Sequence, residues 1–373
     1  MIYLDYAASS PVYEQAAEEM HTVMLESYGN PSALHTAGYG AQKILRQSRE
    51  TMAQLLGVRE SEVFFVSGAT EANNWAIRSA CAGGKGRNIV VFAAEHKSVI
   101  GASEAMCGQG YTVTRVYPDS SGLLPLHELE SAITPDTCLV CVQAVNNETG
   151  VIQDIGAIAD IVHKRGAALL CDAVQSFGHI TQPLFKADYI SISAHKFGGP
   201  KGIGCLVVRQ PEAAKPMLFG GGQEYGLRSG TENIPAIAAM ALAAQLSAQT
   251  LEEERSRLMH LGDSFVAALR EIDPEIAVNA ADAPRSGSIL SIRFPDIPSE
   301  EMVALLDLEG ICASAGSACT VRNSATSHTL MAMGLSEQHA RESVRFSFGR
   351  LTTQQEIEET VAAIGRILKI RKG

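Results

Sequence analysis

Between about residues 40 and 210, short apolar runs of strand length alternate with stretches whose apolar residues recur at helical period. That alternation predicts a mostly parallel, doubly wound sheet wrapped by helices. The runs predict strands over 62–66, 88–93, 112–117, 137–145, 167–171, 189–193 and 204–208, with helices between them such as 42–56 and 154–164. An Ala-rich helical stretch over 235–269 follows, and then the texture changes. A strand over 288–294, a helix over 299–308, a strand from 311 running into a small-residue loop and a closing helix over 354–370 predict a smaller α+β domain. The expected division is a large α/β domain over 15–255, and a small domain made of 1–14 together with 256–373.

Length supports two cores rather than one, because the chain has 373 residues and single cores stop growing near ~250 to 300. Lys and Arg number 30 against 41 Asp and Glu, a net charge of −11, which gives no reason to hold a nucleic acid directly or to lie on an anionic membrane. The start, Met1-Ile2-Tyr3-Leu4-Asp5, carries no basic leader or apolar signal core. No uncharged apolar run reaches the ~18 residues of a membrane span, so a cytoplasmic protein is expected. The 8 cysteines are spread thinly along the chain, without the spacing of a disulfide framework. Cys138 and Cys141 form a CxxC inside an apolar run with no second pair to complete a zinc site, and are read as core.

In an open α/β sheet, ligands collect beyond the carboxyl ends of the strands, so the polar residues just past each apolar run are the candidates. After the first run comes Ser67-Gly68-Ala69-Thr70-Glu71, a turn opening a helix whose N–H groups and hydroxyl suit an anion. Taken alone, it reads more simply as a Thr N-cap. Glu95-His96-Lys97 and Asn146-Asn147-Glu148-Thr149-Gly150 likewise admit a plain turn reading. The fifth run ends in Asp172-Ala173-Val174-Gln175, where a carboxylate is costly unless a cation or donors meet it. One strand along, Ser193-Ala194-His195-Lys196 delivers an ammonium. A buried Asp172–Lys196 ion pair is one reading. The other is a lysine that forms a Schiff base with pyridoxal phosphate while the aspartate keeps the ring nitrogen protonated. No GxGxxG follows a strand and no GxxxxGK[ST] occurs, which removes the common nucleotide folds. Later, Ala313-Ser314-Ala315-Gly316-Ser317-Ala318-Cys319-Thr320 puts a cysteine on a tract too small-residued to pin a backbone. Free cysteine prefers burial, so a loop thiol there points to catalysis, whereas Cys312 is read as core.

Together with Tyr3-Leu4-Asp5-Tyr6-Ala7-Ala8, Gly29-Asn30-Pro31-Ser32, Leu227-Arg228-Ser229-Gly230-Thr231 and Gly316-Ser317-Ala318-Cys319-Thr320, these motifs resemble the cysteine desulfurases of the NifS/IscS type, nearly end to end. That group lies among the fold-type I pyridoxal-phosphate enzymes with class V aminotransferase-like sequences. The resemblance implies a homodimeric transferase that takes sulfur from L-cysteine, leaves L-alanine, and holds a persulfide on Cys319. The sulfur would pass to an acceptor such as an iron-sulfur scaffold or a tRNA-thiolation enzyme. It further implies that Lys196 carries the cofactor, Asp172 partners the ring nitrogen, and His96 stacks on the ring and shuttles a proton. Gln175 and Asn147 would lie near the phenolic oxygen and the substrate. Ala69, Thr70, Ser193 and His195 would hold the phosphate, joined by Thr231 of a second subunit. Arg345 would grip the substrate carboxylate, a task suited to a bidentate guanidinium; an isolated arginine is otherwise a surface ion pair. No metal ligands are implied.

Two departures stand out. Members of the group usually continue after the cysteine to Leu-Glu-Pro-Ser-His, where this chain has Ser324-Ala325-Thr326-Ser327-His328, and Tyr225 stands where a basic residue is common. The alternatives left open are another fold-type I enzyme, such as a selenocysteine or cysteine-sulfinate lyase or an aminotransferase, and a catalytically silent scaffold or sensor.

Overall fold

The computed structural model describes residues 1–83, 86–316 and 326–372. After β1 (Ile2–Tyr3), the chain builds a seven-stranded sheet from β2 (Val63–Val66), β3 (Asn88–Phe92), β4 (Thr112–Val116), β5 (Thr137–Gln143), β6 (Ala168–Asp172), β7 (Tyr189–Ser193) and β8 (Gly204–Val208). Their order is β2-β8-β7-β6-β5-β3-β4. Only β8 runs against its neighbours, so the other six strands deliver their carboxyl ends to one edge. The run over 137–145 ends as a strand at Gln143, and that over 167–171 extends to Asp172.

Strands β2, β3, β5 and β8 are buried along their whole length, as expected where helices cover both faces. One face carries α1 (Glu14–Glu26), α2 (Thr36–Leu56), α5 (Leu126–Ala132), α6 (Ile155–Lys164) and α7 (Ile234–Gln249); the other carries α3 (Ala69–Gly83) and α4 (Lys97–Cys107). Cys138 and Cys141 are buried in β5.

A second core gathers around α8 (Leu251–Ile272). Its sheet has the order β12-β10-β9, from β9 (Ala277–Val278), β10 (Ile289–Arg293) and β12 (Ser343–Ser347), and β11 (Ile311–Cys312) pairs in parallel with β1. Helices α9 (Ser299–Leu308) and α12 (Gln354–Lys372) complete it beside two short helices, α10 (His328–Ala332) and α11 (Glu337–Arg341). Phe265 sits edge-on to Phe346 and Phe348, with ring centroids 5.1 and 5.9 Å apart. Each such buried side chain contributes roughly 1.5–3 kcal/mol. Leu4, just past β1, belongs to this core although its partners all come from Leu258 onward, so the first residues of the chain are stitched to the small domain.

The stretch over 235–269, a single helix by pattern, is two helices bent by 69°. The physical reason is that α7 packs its Ala, Ile and Met residues into the first core, whereas Leu258, Leu261, Phe265 and Leu269 of α8 belong to the second. Cys312 also differs from expectation: it is half-exposed while Ile311 is buried, because successive residues of β11 face opposite ways. No single described helix is long and apolar enough to cross a membrane.

Gly150 closes the turn after β5 at φ +75°, and a Cβ there would lie 2.6 Å from the carbonyl oxygen of Ile289. Gly150→Ala should therefore destabilise the protein by about 1–3 kcal/mol, read as a lowered urea midpoint at unchanged slope.

Candidate active site

A cleft of about 490 Å³ lies at the carboxyl ends of β2, β5, β6 and β7, with residues 7–9 and Arg345 completing its wall. That volume suits a small-molecule site. Among its lining residues are Ala69, Thr70, His96, Asn147, Asp172, Gln175, Ser193, His195, Lys196 and Arg345. Thr231 is not among them and is exposed. Cys319 lies outside the described residues.

Lys196 enters through one turn of 3-10 helix, Ala194–Lys196, directly after β7. Its Nζ donates to the carbonyls of Ala7 and Ala8 at 2.7 and 2.9 Å, while its own carbonyl accepts from Ser10 Oγ at 2.6 Å and from His179 Nε2 at 3.0 Å. The first residues of the chain thus hold the amine. Asp172 ends β6 in register with Gln143 on one side and Ser191 on the other. Its carboxylate accepts from Asn73 Nδ2 at 2.9 Å and from the Val174 N–H at 3.0 Å. Asn73 also donates to Ser98 Oγ at 2.9 Å, and that hydroxyl meets His96 Nδ1 at 2.7 Å. One amide therefore sets both the carboxylate and the imidazole. Asn73 was missed in the sequence, where its signal was a polar residue on the sheet-facing side of an otherwise apolar stretch of α3.

His96 caps α4, its Nδ1 accepting from the Ser98 N–H at 3.1 Å, which leaves the ring proton on Nε2. Burial lowers its pKa, so the ring is neutral near pH 7. His195 is lowered to about 4 by burial, reinforced by the charges of Lys196 and Lys201. Glu95, fully buried, has its carboxyl pushed well above the usual range by burial and then by the charge of Asp172, so it stays protonated.

At the opposite end, Ala69 and Thr70 open α3, a helix of 15 residues, whose first N–H groups have no partner within the helix. Glu71, the acid beside them, is engaged by Arg228 at 2.8 Å and by the Ser67 N–H and hydroxyl at 2.7 and 2.6 Å. Burial alone would raise its pKa, yet those bonds outweigh burial and hold it below the usual value. The end of the cleft is left with donors to offer an anion.

Arg345 is no surface residue: it is 3% exposed, donates to Asp5 Oδ1 at 2.8 Å and to the Asn147 carbonyl at 3.0 Å. Its Nε has no partner among the described residues. Gln175 Nε2 donates to the Ala7 carbonyl at 2.9 Å.

A doubly wound sheet that brings a lysine and a carboxylate to neighbouring strand ends, beside a helix N-terminus open to an anion, has the architecture of a fold-type I transferase. The aminotransferase class-V family model matches residues 2–360. The chain is 38% identical over 376 residues to cysteine desulfurase IscS 1 of Archaeoglobus fulgidus, covering 99% of this chain and 97% of that one. Among solved structures it is similar to a NifS-like protein, with a TM-score of 0.92 and 34% identity over 99% of both chains. It is also similar to SspA in complex with cysteine, with a TM-score of 0.79 and 31% identity over 93% of this chain and 99% of that one. The chain belongs to the aminotransferase class-V family, in its NifS/IscS-type cysteine desulfurase branch, a branch of pyridoxal-phosphate-dependent enzymes.

The Glu95 shift predicts a pH signature. Folded Glu95 keeps a proton that the unfolded chain releases above about pH 4.5, so its contribution to stability is full below that pH and is lost as pH rises toward the folded value. Glu95→Gln, neutral at every pH, should gain in Tm relative to the wild type between pH 5 and pH 8; a pH-independent difference would mean that the carboxyl is ionised in the fold.

Proposed function

We propose that this chain is a cysteine desulfurase that takes sulfur from L-cysteine, releases L-alanine and holds the sulfur as a persulfide on Cys319. The observation that carries the reading is the convergence of Lys196, Asp172 and Arg345 on one cleft, with the backbone of Ser314 paired to that of Arg345 at 2.7 and 3.1 Å. Cys319 follows Ser314 by five residues in sequence.

The residues fit pyridoxal phosphate. One end offers the N-terminal N–H groups of α3, the hydroxyls of Thr70 and Ser193, His195 and Lys201, a donor set for a phosphate. The other offers Asp172, 5% exposed, as the acceptor for a protonated ring nitrogen, and Lys196 as the amine for covalent attachment. His96 would lie against the ring, with Gln175 and Asn147 near its phenolic oxygen. Bound there, the cofactor supplies an electron-accepting ring joined to the substrate's amino nitrogen.

The protein's own groups do the rest. Arg345 orients the substrate by its carboxylate, two N–H groups being able to meet two oxygens. Lys196 Nζ takes the Cα proton. A free thiol with a pKa near ~8.5 is only a few per cent ionised at neutral pH, and neutral His96 would take the proton that must leave on Nδ1, its unprotonated nitrogen, giving up its contact with Ser98 there. Cys319 Sγ then attacks the substrate sulfur; the carbon–sulfur bond breaks as the sulfur–sulfur bond forms, and a proton returned to carbon completes alanine. One enzyme thiol and one L-cysteine give one enzyme persulfide and one L-alanine, with no external oxidant or reductant.

The protein would act as a homodimer. Tyr39 and Tyr225, 55% and 64% exposed, line a groove with Glu232, next in sequence to Thr231. A second copy covering that face would bury the tyrosines and bring Thr231 to a phosphate. Residues 15–255 would form the cofactor-binding domain, and 1–14 with 256–373 the domain that carries Cys319, in keeping with the two cores. The acceptor would be an iron-sulfur scaffold or a tRNA-thiolation enzyme, and the compartment the cytoplasm, where thiols stay reduced.

Incubation with L-cysteine should add the mass of sulfur to a peptide containing Cys319. Cys319→Ser should keep the yellow absorbance and lose both persulfide and alanine. Sustained alanine formation by that variant would overturn the role of Cys319, and a wild-type protein that stays colourless with added pyridoxal phosphate would overturn the reading as a whole.

A further inference from the structure

Glu71 lines the cleft beside Thr70 and stands in the first turn of α3, where the helix dipole favours a carboxylate as long as no other anion is bound. Its two oxygens accept four hydrogen bonds. Oε1 accepts from Arg228 Nε at 2.8 Å, and Oε2 from Arg228 Nη2 at 3.3 Å, the Ser67 N–H at 2.7 Å and the Ser67 hydroxyl at 2.6 Å. The side chains of Arg228 and Glu71 are only 21% and 13% exposed. Burial opposes ionisation, yet those bonds hold the Glu71 carboxyl below its usual value, so it carries a full negative charge at neutral pH.

A phosphate and this carboxylate would share one helix end. Two unit charges about 10 Å apart near a protein surface change an equilibrium constant by about tenfold, and Glu71 is the chain neighbour of Thr70. The other groups at this end offset that charge little: His195 is uncharged, its pKa lowered to about 4, and Lys201 is an exposed side chain, whose charge water and salt screen. Arg228 is not among the residues lining the cleft, so it reaches the phosphate end through Glu71. Its backbone is pinned: Leu218 and Arg228 form a β-bridge, with the Met217 N–H on the Leu227 carbonyl at 2.9 Å and the Ser229 N–H on the Leu218 carbonyl at 3.1 Å. A guanidinium that meets both oxygens of a carboxylate is the stronger, directional form of such a pair.

We propose that Arg228 is a positioning residue for the cofactor phosphate: it holds the Glu71 carboxylate in a two-bond pair and cancels the negative charge that Glu71 would otherwise set against a phosphate at the start of α3. This rests on pyridoxal phosphate being the ligand of the cleft. It also removes Ser67 from the phosphate donors, because its N–H and its hydroxyl hydrogen are both engaged by Glu71. The effect is one of charge, so it acts on the phosphate and leaves the ring and Lys196 alone.

The test titrates full-length protein, stripped of cofactor, with pyridoxal phosphate and separately with pyridoxal, which has the same aldehyde and no phosphate. The yellow absorbance of the lysine adduct reports the binding of both. Arg228→Ala should raise the Kd for pyridoxal phosphate by about tenfold or more and leave that for pyridoxal within about twofold of wild type. Glu71→Gln, which removes the charge, should bind pyridoxal phosphate at least as tightly as wild type. Combining Arg228→Ala with Glu71→Gln should restore the Kd to within about threefold of wild type, as for two residues that act through one contact. Equal losses with both ligands, an unchanged Kd in Arg228→Ala, a loss in Glu71→Gln as large as in Arg228→Ala, or no recovery in the double variant would each overturn the charge-balancing role. If Arg228→Ala does not fold, Arg228→Gln carries the same comparisons. Wild-type protein that takes up neither aldehyde would instead overturn the cofactor reading, and this role with it.

Discussion

Parallel pairing sends strands β5, β6 and β7 to the same edge, about 4.8 Å apart, and the side chains that follow them have to share one space. Asp172 lies level with Gln143 and Ser191 in that register, so the carboxylate, the amide and the turn bearing Lys196 converge without any long loop. β2 and β7 are both antiparallel to β8 and so parallel to each other, and α3, which follows β2, begins at the same edge. A slip of one residue in any of these ladders would turn Asp172 or Lys196 to the other face of the sheet. The buried length of β5 and β6, where a slip would put polar groups into the core, fixes the register against it.

Polar groups inside this edge are coupled through few atoms. Asn73 uses both hydrogens of its amide, one on Asp172 and one on Ser98, so the carboxylate and the imidazole of His96 are held as a pair. Burial then decides protonation: Glu95 is kept neutral and His96 and His195 uncharged. Neutral walls around a few charged groups strengthen the interactions those groups make.

Much of this was legible in the sequence because apolar runs mark strands, and the polar residues that follow them mark the edge. The large sheet's seven strands fell where the pattern put them, to within a residue or two at their ends. Three things were not legible. The break at Thr250 is invisible to local pattern, since residues on both sides favour a helix and only membership of different cores forces the bend. The depth of Arg345 was hidden because its partner, Asp5, lies at the far end of the sequence. Asn73 holds Asp172 and Ser98 through hydrogen bonds to residues distant in the chain, which neither period nor composition registers.

The position of the first strand has a consequence for how the protein comes into being. Residues 2 to 7 lie against β11 and β12, with Ile2 beside Ile311 and the Ala7 N–H on Ser347 Oγ, and the carbonyls of Ala7 and Ala8 are what Lys196 leans on. A chain emerging from the ribosome makes the large sheet first, but residues 2 to 7 must wait for β11 and β12, which are translated well after it. A nascent chain therefore carries an unsupported lysine until β12 has been made, and competence to react waits on that strand.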